Sequence, residues 1–564
     1  MSRIDVKTIL KQVEQLLAMA GTLPAEAEEA VEKLLNVVET LYADRQSLVD
    51  EVERLRQELE KKKRAKTTSQ QNQDDNSEQD DSNHSSEHRR KQDRKKPQTP
   101  DRRSFKDLKI HEEIECPVDP KTLPPDAVRV ADEVKVVQDI EIKPRNIRFQ
   151  RHVYYSADLN KFFRGALPRG YDHGDFGADL RALILSLKYC GNMSEPKIRE
   201  FLENFDVEVS SGSMSNILTR TADSFVQEFD SIVLAGLSST TYQQTDDTSA
   251  RVAGRFWHTH ILCNPFYAAY FTRERKDRLT VLEVLQNTND LRFQLGAETL
   301  ALLQAEFKIP TKWQQALADL EEQELNKAEL KSLLDGWFGD KNRQVRTAIE
   351  QAAAIVFYRH QSSVPMIETI VCDDAAQFKL LTENLSLCWI HSGRHFEKLS
   401  PVVPRHAALL ESFRQRYWEY YASLQDYRAG PSERAAALLR LQFDELFSTR
   451  TGYAALDDRI ATTAEKKAEL LTVLSHPSVP LHNNDSELQA RVSARRRDVS
   501  LHSRSVHGAR AMDIFTTLVQ TSKLHGVSAY AYFRDRLRQS FVLPSLATLI
   551  KSAASQVSNS TASG

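Results

Sequence analysis

The chain has 564 residues, 40% of them apolar, which is enough for several hydrophobic cores and excludes a wholly disordered protein. No apolar run is long enough to span a membrane, and the opening MSRIDVKTILKQVEQ lacks the basic-then-apolar layout of a secretory leader, so a cytoplasmic protein without membrane contact is expected. Net charge is only −3 at pH 7, so any affinity for nucleic acid must come from local basic clusters. The 5 cysteines (Cys116, Cys190, Cys263, Cys372, Cys388) show no Cys-x-x-Cys spacing, which argues for reduced, mostly buried thiols and against a disulfide framework or a zinc ribbon.

Over residues 31–59 apolar side chains keep a heptad period. With Val31 at position a, the a series runs Val31, Val38, Arg45, Val52, Leu59 and the d series Leu34, Leu41, Leu48, Leu55. Valine at a with leucine at d predicts a parallel two-stranded coiled coil, in which Arg45 costs stability and fixes register. The other reading is an amphipathic helix packed on its own protein; the sustained heptad period favours pairing between chains.

Residues 65–107 read as a disordered linker. SQQNQDDNSEQDDSNHSSE is polar and acidic, then HRRKQDRKKPQTPDRRSFK carries Arg89, Arg90, Lys91, Arg94, Lys95 and Lys96. Such a stretch is either a solvated tether or a basic arm on DNA phosphates. Alternating runs over 128–155 predict the strands of a small β module. Within the helical region 174–237, SEPKIREFLENFDVEVSSGSMSNILTRT predicts helix, turn, helix, capped by Ser211 or Ser213. That spacing suits a DNA-reading helix-turn-helix and equally a plain packing unit.

Three strand-like runs follow, TTYQQTDDTSARV, RFWHTHILCN and FYAAYFT, and then a helix from near Asp277. Residues 290–362 read as a helical insertion without strands, and strand character returns in IETIVCDD and LSLCWIH. Helices are expected over 406–474, then the loop VPLHNNDSE, a basic helix, and a disordered tail ending SQVSNSTASG.

Acids stand where these elements begin or end: Asp246 or Asp247, Asp373 or Asp374, and Glu487. Carboxylate oxygens are the ligands that Mg²⁺ and Mn²⁺ prefer. Three such groups can hold two ions about 3.5–4 Å apart for an in-line displacement at phosphorus. Spacing alone leaves the choice within each Asp-Asp pair open.

The wording around these acids is similar to a known family. QQTDDTSARV, VCDDAAQF, CWIHSGRHFEKL and LHNNDSELQARVSARRRDVSLHSRSVHGARAMD resemble, in that order, motifs of the insertion-sequence sixty-six family of DDE transposases. The likeness continues into LVQTSKLHGVSAYAYFRDRL and, more weakly, runs back through KYCGNMSEPKIREFL to about residue 118. The resemblance implies that Asp246, Asp373 and Glu487 are the catalytic, metal-holding carboxylates, with Asp247 in the place of a family Glu and Asp374 in that of a Gly. Asn483 and Asn484 match paired asparagines that shape the loop of the catalytic Glu. Trp389, His391 and Arg394 match a further motif, from which His391 or Arg394 reaches substrate phosphate; the plainer reading of His391 is a hydrogen-bonded residue at the end of a buried strand. Arg491, Arg495, Arg496, Arg497, Arg504 and Arg510 form a second basic cluster, suited to gripping DNA phosphates. The chain also departs from the family in three further places, one of them a longer helical section between Asp246 and Asp373. Only Cys116 remains where a four-cysteine zinc module is common, so zinc is not expected. His482 stands in place of an Asp.

The expected architecture is multidomain α/β. A coiled-coil dimerisation helix (1–64) and the linker precede a degenerate zinc-ribbon-like, DNA-binding β module (108–168) and a helix-turn-helix-like region (169–237). An RNase H-like catalytic domain (238–535), with helical insertions near 290–362 and 406–474, leads to the tail (536–564). The resemblance implies a transposase that, with Mg²⁺ or Mn²⁺, cleaves 3′ ends of an insertion sequence and joins them to target DNA. Its partners would be double-stranded DNA, a second copy of the chain and small accessory proteins of the same element. The rival readings are a catalytically inactive or domesticated DNA-binding protein and a metal-dependent nuclease that does not join.

Overall fold

The computed structural model describes residues 24–67, 109–124, 127–128, 131–171, 174–338 and 341–562, with isolated positions before residue 24. The basic stretch holding Arg89, Arg90, Lys95 and Lys96 lies outside the described residues. Packing divides the chain into two units, residues 46–145 and the remainder. Among the described residues no helix is long and apolar enough to cross a membrane.

Helix α1 (Ala25–Thr67) runs slightly past the expected coiled-coil region, and its d-position leucines Leu34, Leu41, Leu48 and Leu55 are exposed. Between 131 and 152 no strand forms, and Val134, Val137 and Ile140 stand in solvent. The strands expected over 128–142 are therefore corrected to extended chain: alternation describes a strand's faces but supplies no partner for its N–H groups. The β module reduces to an antiparallel pair, β1 (Val153–Ser156) and β2 (Lys161–Arg164), with Tyr154 opposite Phe163.

Helices α2 (Ala178–Tyr189), α3 (Glu195–Glu203), α4 (Ser211–Arg220) and α5 (Val226–Leu237) follow. The turn between α3 and α4 falls where the sequence places it. The cap is Ser210, whose hydroxyl accepts from Ser213 N–H at 3.1 Å, rather than Ser211 or Ser213.

The central sheet begins with the meander β3 (Tyr242–Val252), β4 (Arg255–Asn264) and β5 (Tyr267–Arg273). Helix α6 (Arg278–Leu285) starts after Asp277, which caps Thr280 N–H at 3.0 Å. The first insertion contains β6 (Arg292–Leu295), helices α7 (Ala297–Leu302) and α8 (Thr311–Ala318), β7 (Gln323–Asn326), and helices α9 (Lys327–Phe338) and α10 (Arg343–His360). Strands β6 and β7 pair antiparallel, which corrects the expectation of a strand-free insertion. Two short segments, RFQL and QELN, are too brief to show a period of two in a Leu/Glu-rich background. Strands β8 (Thr369–Cys372) and β9 (Asn384–Leu387) complete a sheet ordered β5-β4-β3-β8-β9. The pairs β3/β4 and β4/β5 are antiparallel; β3/β8 and β8/β9 are parallel.

Helix α11 (Trp389–Glu397) opens the second helical section, which continues as α12 (Pro404–Ala429), α13 (Glu433–Phe447), α14 (Ala454–Ala464) and the short α15 (Lys467–Leu470). The basic helix is α16 (Asn484–Ser500), followed by α17 (Val506–Leu524), α18 (Ala529–Leu537) and α19 (Leu546–Ala562). The last of these corrects the expected disordered tail. Leu546 and Ile550, one turn apart, are wholly buried, and this apolar pair outweighs the Ser/Thr/Asn composition around it.

Helix α17 closes the edge of the sheet through side chains. Asp513, Thr517 and Thr521 accept from the N–H groups of Thr272 (2.7 Å), Tyr270 (3.1 Å) and Ala268 (3.4 Å) on β5. Four residues of helix advance about 6 Å and two of strand about 6.8 Å, so the rows stay in step and the edge presents no free donors there.

The first turns of α1 dock on the second helical section. Glu39 accepts from Val402 N–H (3.0 Å), Val403 N–H (2.8 Å) and His406 Nδ1 (3.2 Å) at the start of α12. Asn36 donates to Gly452 O (2.8 Å) and accepts from Ala454 N–H (2.9 Å) at the start of α14. Neither α12 nor α14 has a side-chain cap of its own, so α1 supplies both. Leu35 is buried against Val403, with Val31 and Val38 beside it, so this flank of the heptad helix packs within its own chain.

Candidate active site

Parallel pairing sets the first two acids. Tyr242, Gln243 and Gln244 of β3 lie opposite Thr369, Ile370 and Val371 of β8, so two residues further along each strand Asp246 and Asp373 stand side by side. Asp373 is the first residue beyond β8, and its carboxylate accepts from Ala375 N–H at 3.2 Å.

Glu487 comes from the first turn of α16, and β3 holds that turn in place. Gln244 Nε2 donates to Asp485 at 2.8 Å, and its Oε1 accepts from Asp485 N–H at 3.2 Å. Ser486 Oγ donates to Thr245 O at 3.2 Å. At the far end of α16, Arg497 bonds to Ser249, and Ser503 N–H donates to Arg251 O at 3.0 Å. Between these ends Ala490 packs on Ile261, Cys263, Ala268 and Tyr270 of β4 and β5. The helix thus lies along the sheet with Glu487 level with Asp246.

Asp246 feels both of the other carboxylates. Burial pushes Asp246 up to about 7, and the charges of Asp247, Asp373 and Glu487 push the same way against the Asp247 N–H bond. Burial also raises Asp373, with the Ala375 N–H and His391 opposing. The second acid of each pair is neutralised locally. Asp247 faces Lys276 at 3.4 Å, and Asp374 is bridged by Lys466 and, at 3.7 Å, by Lys379.

Glu487 has company from α11. Arg394 Nη2 lies 3.4 and 3.5 Å from its two oxygens, and His391 Nε2 lies 3.5 Å from Oε1. Arg394 Nη1 donates to His391 Nε2 at 3.0 Å, which requires a lone pair on that nitrogen and a neutral ring. Burial and the Arg394 charge both hold the imidazole below its ordinary value, consistent with that bond. His391 and Arg394, expected on substrate phosphate, both lie beside Glu487. Nothing in the sequence shows this contact, because the partners are 93 residues apart.

The basic cluster is divided. Arg495, Arg504 and Arg510 are exposed, and Arg491 is half-buried. Arg496 is only 8% exposed. It bonds to Tyr189 O (2.7 Å), Asn192 (3.3 Å) and Thr516, so its expected place on DNA is corrected to an internal brace between α16, α17 and the end of α2. Arg497 is likewise spent on Ser249.

Three hard carboxylate groups gathered at one place fit a divalent cation in donor chemistry. As folded they do not enclose a point: among the described residues no three His, Cys, Asp or Glu side chains are poised around one ion.

A family model described as Transposase IS66 family matches residues 366–511, which include Asp373, His391, Arg394 and Glu487. The uncharacterized protein y4jO of Sinorhizobium fredii (strain NBRC 101917 / NGR234) is 32% identical over 313 residues, 54% of this chain and 94% of that protein.

Proposed function

The chain belongs to the IS66 family of transposases, and from that premise we propose that it is an active DDE polynucleotidyl transferase, cleaving 3′ ends of an insertion-sequence element and joining them to target DNA. The observation that carries this reading is the convergence of Asp246, Asp373 and Glu487, so close that Asp246 responds to the charge of both others. A sheet antiparallel on one side of β3 and parallel on the other supports an RNase H-like catalytic domain.

Asp246, Asp373 and Glu487 would hold Mg²⁺ or Mn²⁺, which supplies activation of water or a 3′ hydroxyl and charge stabilisation at the phosphoryl oxygens. The chain's own part is to fix the acids on one strand edge and one helix turn, and to orient DNA across them. Arg491 and Arg495, one helical turn apart on α16, with Arg504 and Arg510 beyond it, offer donors to the phosphates of duplex DNA. The exposed leucines of α1 support a parallel homodimer, which brings an active site to each of two element ends. Accessory proteins of the same element are further partners in this reading.

The test is cleavage and joining of labelled DNA carrying the inverted repeats that flank the gene, with Mg²⁺ or Mn²⁺, comparing wild type with Glu487→Gln, Asp246→Asn and Asp247→Asn. Metal-dependent nicking and joining that vanish in the first two variants and largely survive in the third support the proposal. Cleavage without joining identifies a nuclease. Specific binding without cleavage, equal in all four proteins, identifies a DNA-binding protein with structural acids.

A further inference from the structure

Resting on the triad reading above, we propose that Arg394 is a positioning residue: through its Nη2 contact with both oxygens of Glu487 it sets that carboxylate for the divalent cation, and the α12–α14 bundle exists in part to hold Arg394 there.

Three rigid attachments fix the helix that carries it. Cys388 N–H donates to Cys372 O at 2.9 Å, one residue before Asp373, and Trp389 N–H donates to Leu481 O at 2.9 Å in the loop leading to α16. The base of α11 is therefore tied to both segments that deliver acids. Trp389 is completely buried, its indole N–H donating to Leu470 O (2.9 Å) and its carbonyl accepting from Tyr417 Oη (2.8 Å). The rings of Tyr417, Tyr420 and Phe443 stand 5.4, 5.5 and 6.3 Å from it. One turn on, α11 lies so close to α12 that a Cβ at Gly393 would come within 2.8 Å of the Trp418 ring. Trp418 is itself on α12, so that helix sets the height of the next residue, Arg394.

From this platform Arg394 reaches Glu487 with Nη2, while its Nη1 donates to His391, three residues back on the same face. Glutamate on an isolated helix samples many rotamers, and ordering it carries an entropic cost. A single guanidinium nitrogen, Nη2, shared between the two oxygens at 3.4 and 3.5 Å restricts that search while leaving lone pairs for a cation. Partners of this kind, one shell out from a metal, typically govern affinity by about 10–100-fold. Arg394 is half-buried and directs its Nη2 at a carboxylate, so the measurement of Mn²⁺ affinity beside DNA affinity is what separates this role from a phosphate contact.

The experiment is Mn²⁺ binding to the full chain without DNA, followed by the electron paramagnetic resonance of free Mn²⁺. It compares wild type, Arg394→Gln, Arg394→Lys and Glu487→Gln. The expected result is Mn²⁺ affinity about 10–100-fold weaker in Arg394→Gln, with part recovered in Arg394→Lys and a thermal midpoint in EDTA close to wild type. In cleavage, the Mn²⁺ concentration for half-maximal rate rises by the same factor, while the rate at saturating Mn²⁺ largely returns. Unchanged or tighter Mn²⁺ binding in Arg394→Gln overturns the proposal. So does weakened DNA binding with Mn²⁺ affinity intact, which makes Arg394 a phosphate contact. A large fall in the EDTA midpoint for both Arg394 variants, without recovery of Mn²⁺ affinity in the lysine form, overturns it in favour of a structural role. Wild-type Mn²⁺ binding that Glu487→Gln leaves untouched overturns the triad reading itself, and this inference with it.

Discussion

Replacing Asp246 by Asn should stabilise the metal-free protein while abolishing its chemistry. A carboxyl that titrates at about 7 in the fold and near 3.8 when unfolded opposes folding once it is ionised. The sign follows from linkage. Because the folded value is raised, its stabilising contribution is complete below about pH 4, falls as pH rises, and levels off above about pH 7. Over the whole interval the loss has a ceiling of about 4 kcal/mol, of which about 2 kcal/mol falls between pH 5.5 and pH 8. Asparagine keeps an oxygen for the Asp247 N–H and carries no charge, so it escapes this loss.

Thermal midpoints in EDTA at pH 5.5 and pH 8, for wild type and Asp246→Asn, measure the effect. The variant's advantage should be clear at pH 8 and smaller at pH 5.5. Comparing the two proteins cancels Asp513, which burial also raises to about 7. Added Mn²⁺ should raise the wild-type midpoint at pH 8 and leave the variant nearly unmoved, since a ligand at 100 times its Kd stabilises by about 2.7 kcal/mol. An advantage equal at both pH values, or none at pH 8, would refute the reasoning that burial, helped by the neighbouring acids, holds the Asp246 carboxyl high.

Three further outcomes are expected. Arg496→Ala should lower the thermal midpoint because it orphans the buried Tyr189 carbonyl, a loss of about 1–3 kcal/mol, whereas Arg504→Ala should leave the midpoint alone and flatten the salt dependence of DNA binding. Glu39→Ala should loosen α1 from α12 and speed proteolysis of the helix at neutral pH. Burial raises Glu39, but the bonds from His406, Val402 and Val403 more than offset it and leave the carboxyl below its ordinary value. This attachment is therefore intact above about pH 4.5 and lost as pH falls through the folded value, which proteolysis of wild type across acidic pH would follow. Leu48→Asp with Leu55→Asp should convert a dimer to a monomer in sedimentation with the catalytic fold's midpoint unchanged; an undiminished dimer would remove the coiled-coil proposal.

Where local chemistry decides, the sequence reads well. Helix α6 begins just after Asp277, where a helix is expected, and the runs TTYQQTDDTSARV, RFWHTHILCN and FYAAYFT are the three strands of the meander. Where a partner elsewhere in the chain decides, it reads poorly. Residues 128–142 alternate like a strand, yet the described residues from 131 onward form none there, and Ser/Thr/Asn composition hides the buried turn of α19. The heptads of α1 show the same limit: Val31 and Val38 satisfy the pattern for a second chain, but they lie beside Leu35 and Val403 of their own. Glu39 and Asn36, which the heptad scheme counts only as surface polar residues, turn out to cap two helices.

The arginines show why residue type and proximity in sequence mislead at the site itself. Arg495, Arg496 and Arg497 look like one basic patch, but successive helical residues point about 100° apart and cannot share a face. Geometry sends the first outward, the second into the core against Tyr189, and the third to Ser249 on β3. The same rule applied at i, i+3 places His391 and Arg394 together, and at i, i+4 leaves Arg491 beside Arg495. Periodicity therefore identifies which cations act jointly, while only the fold tells whether their common face meets a phosphate or a carboxylate. Of these two pairs, one meets Glu487 and the other lies along the outer course of α16, so metal placement and DNA grip fall to different arginines and should separate cleanly under mutation.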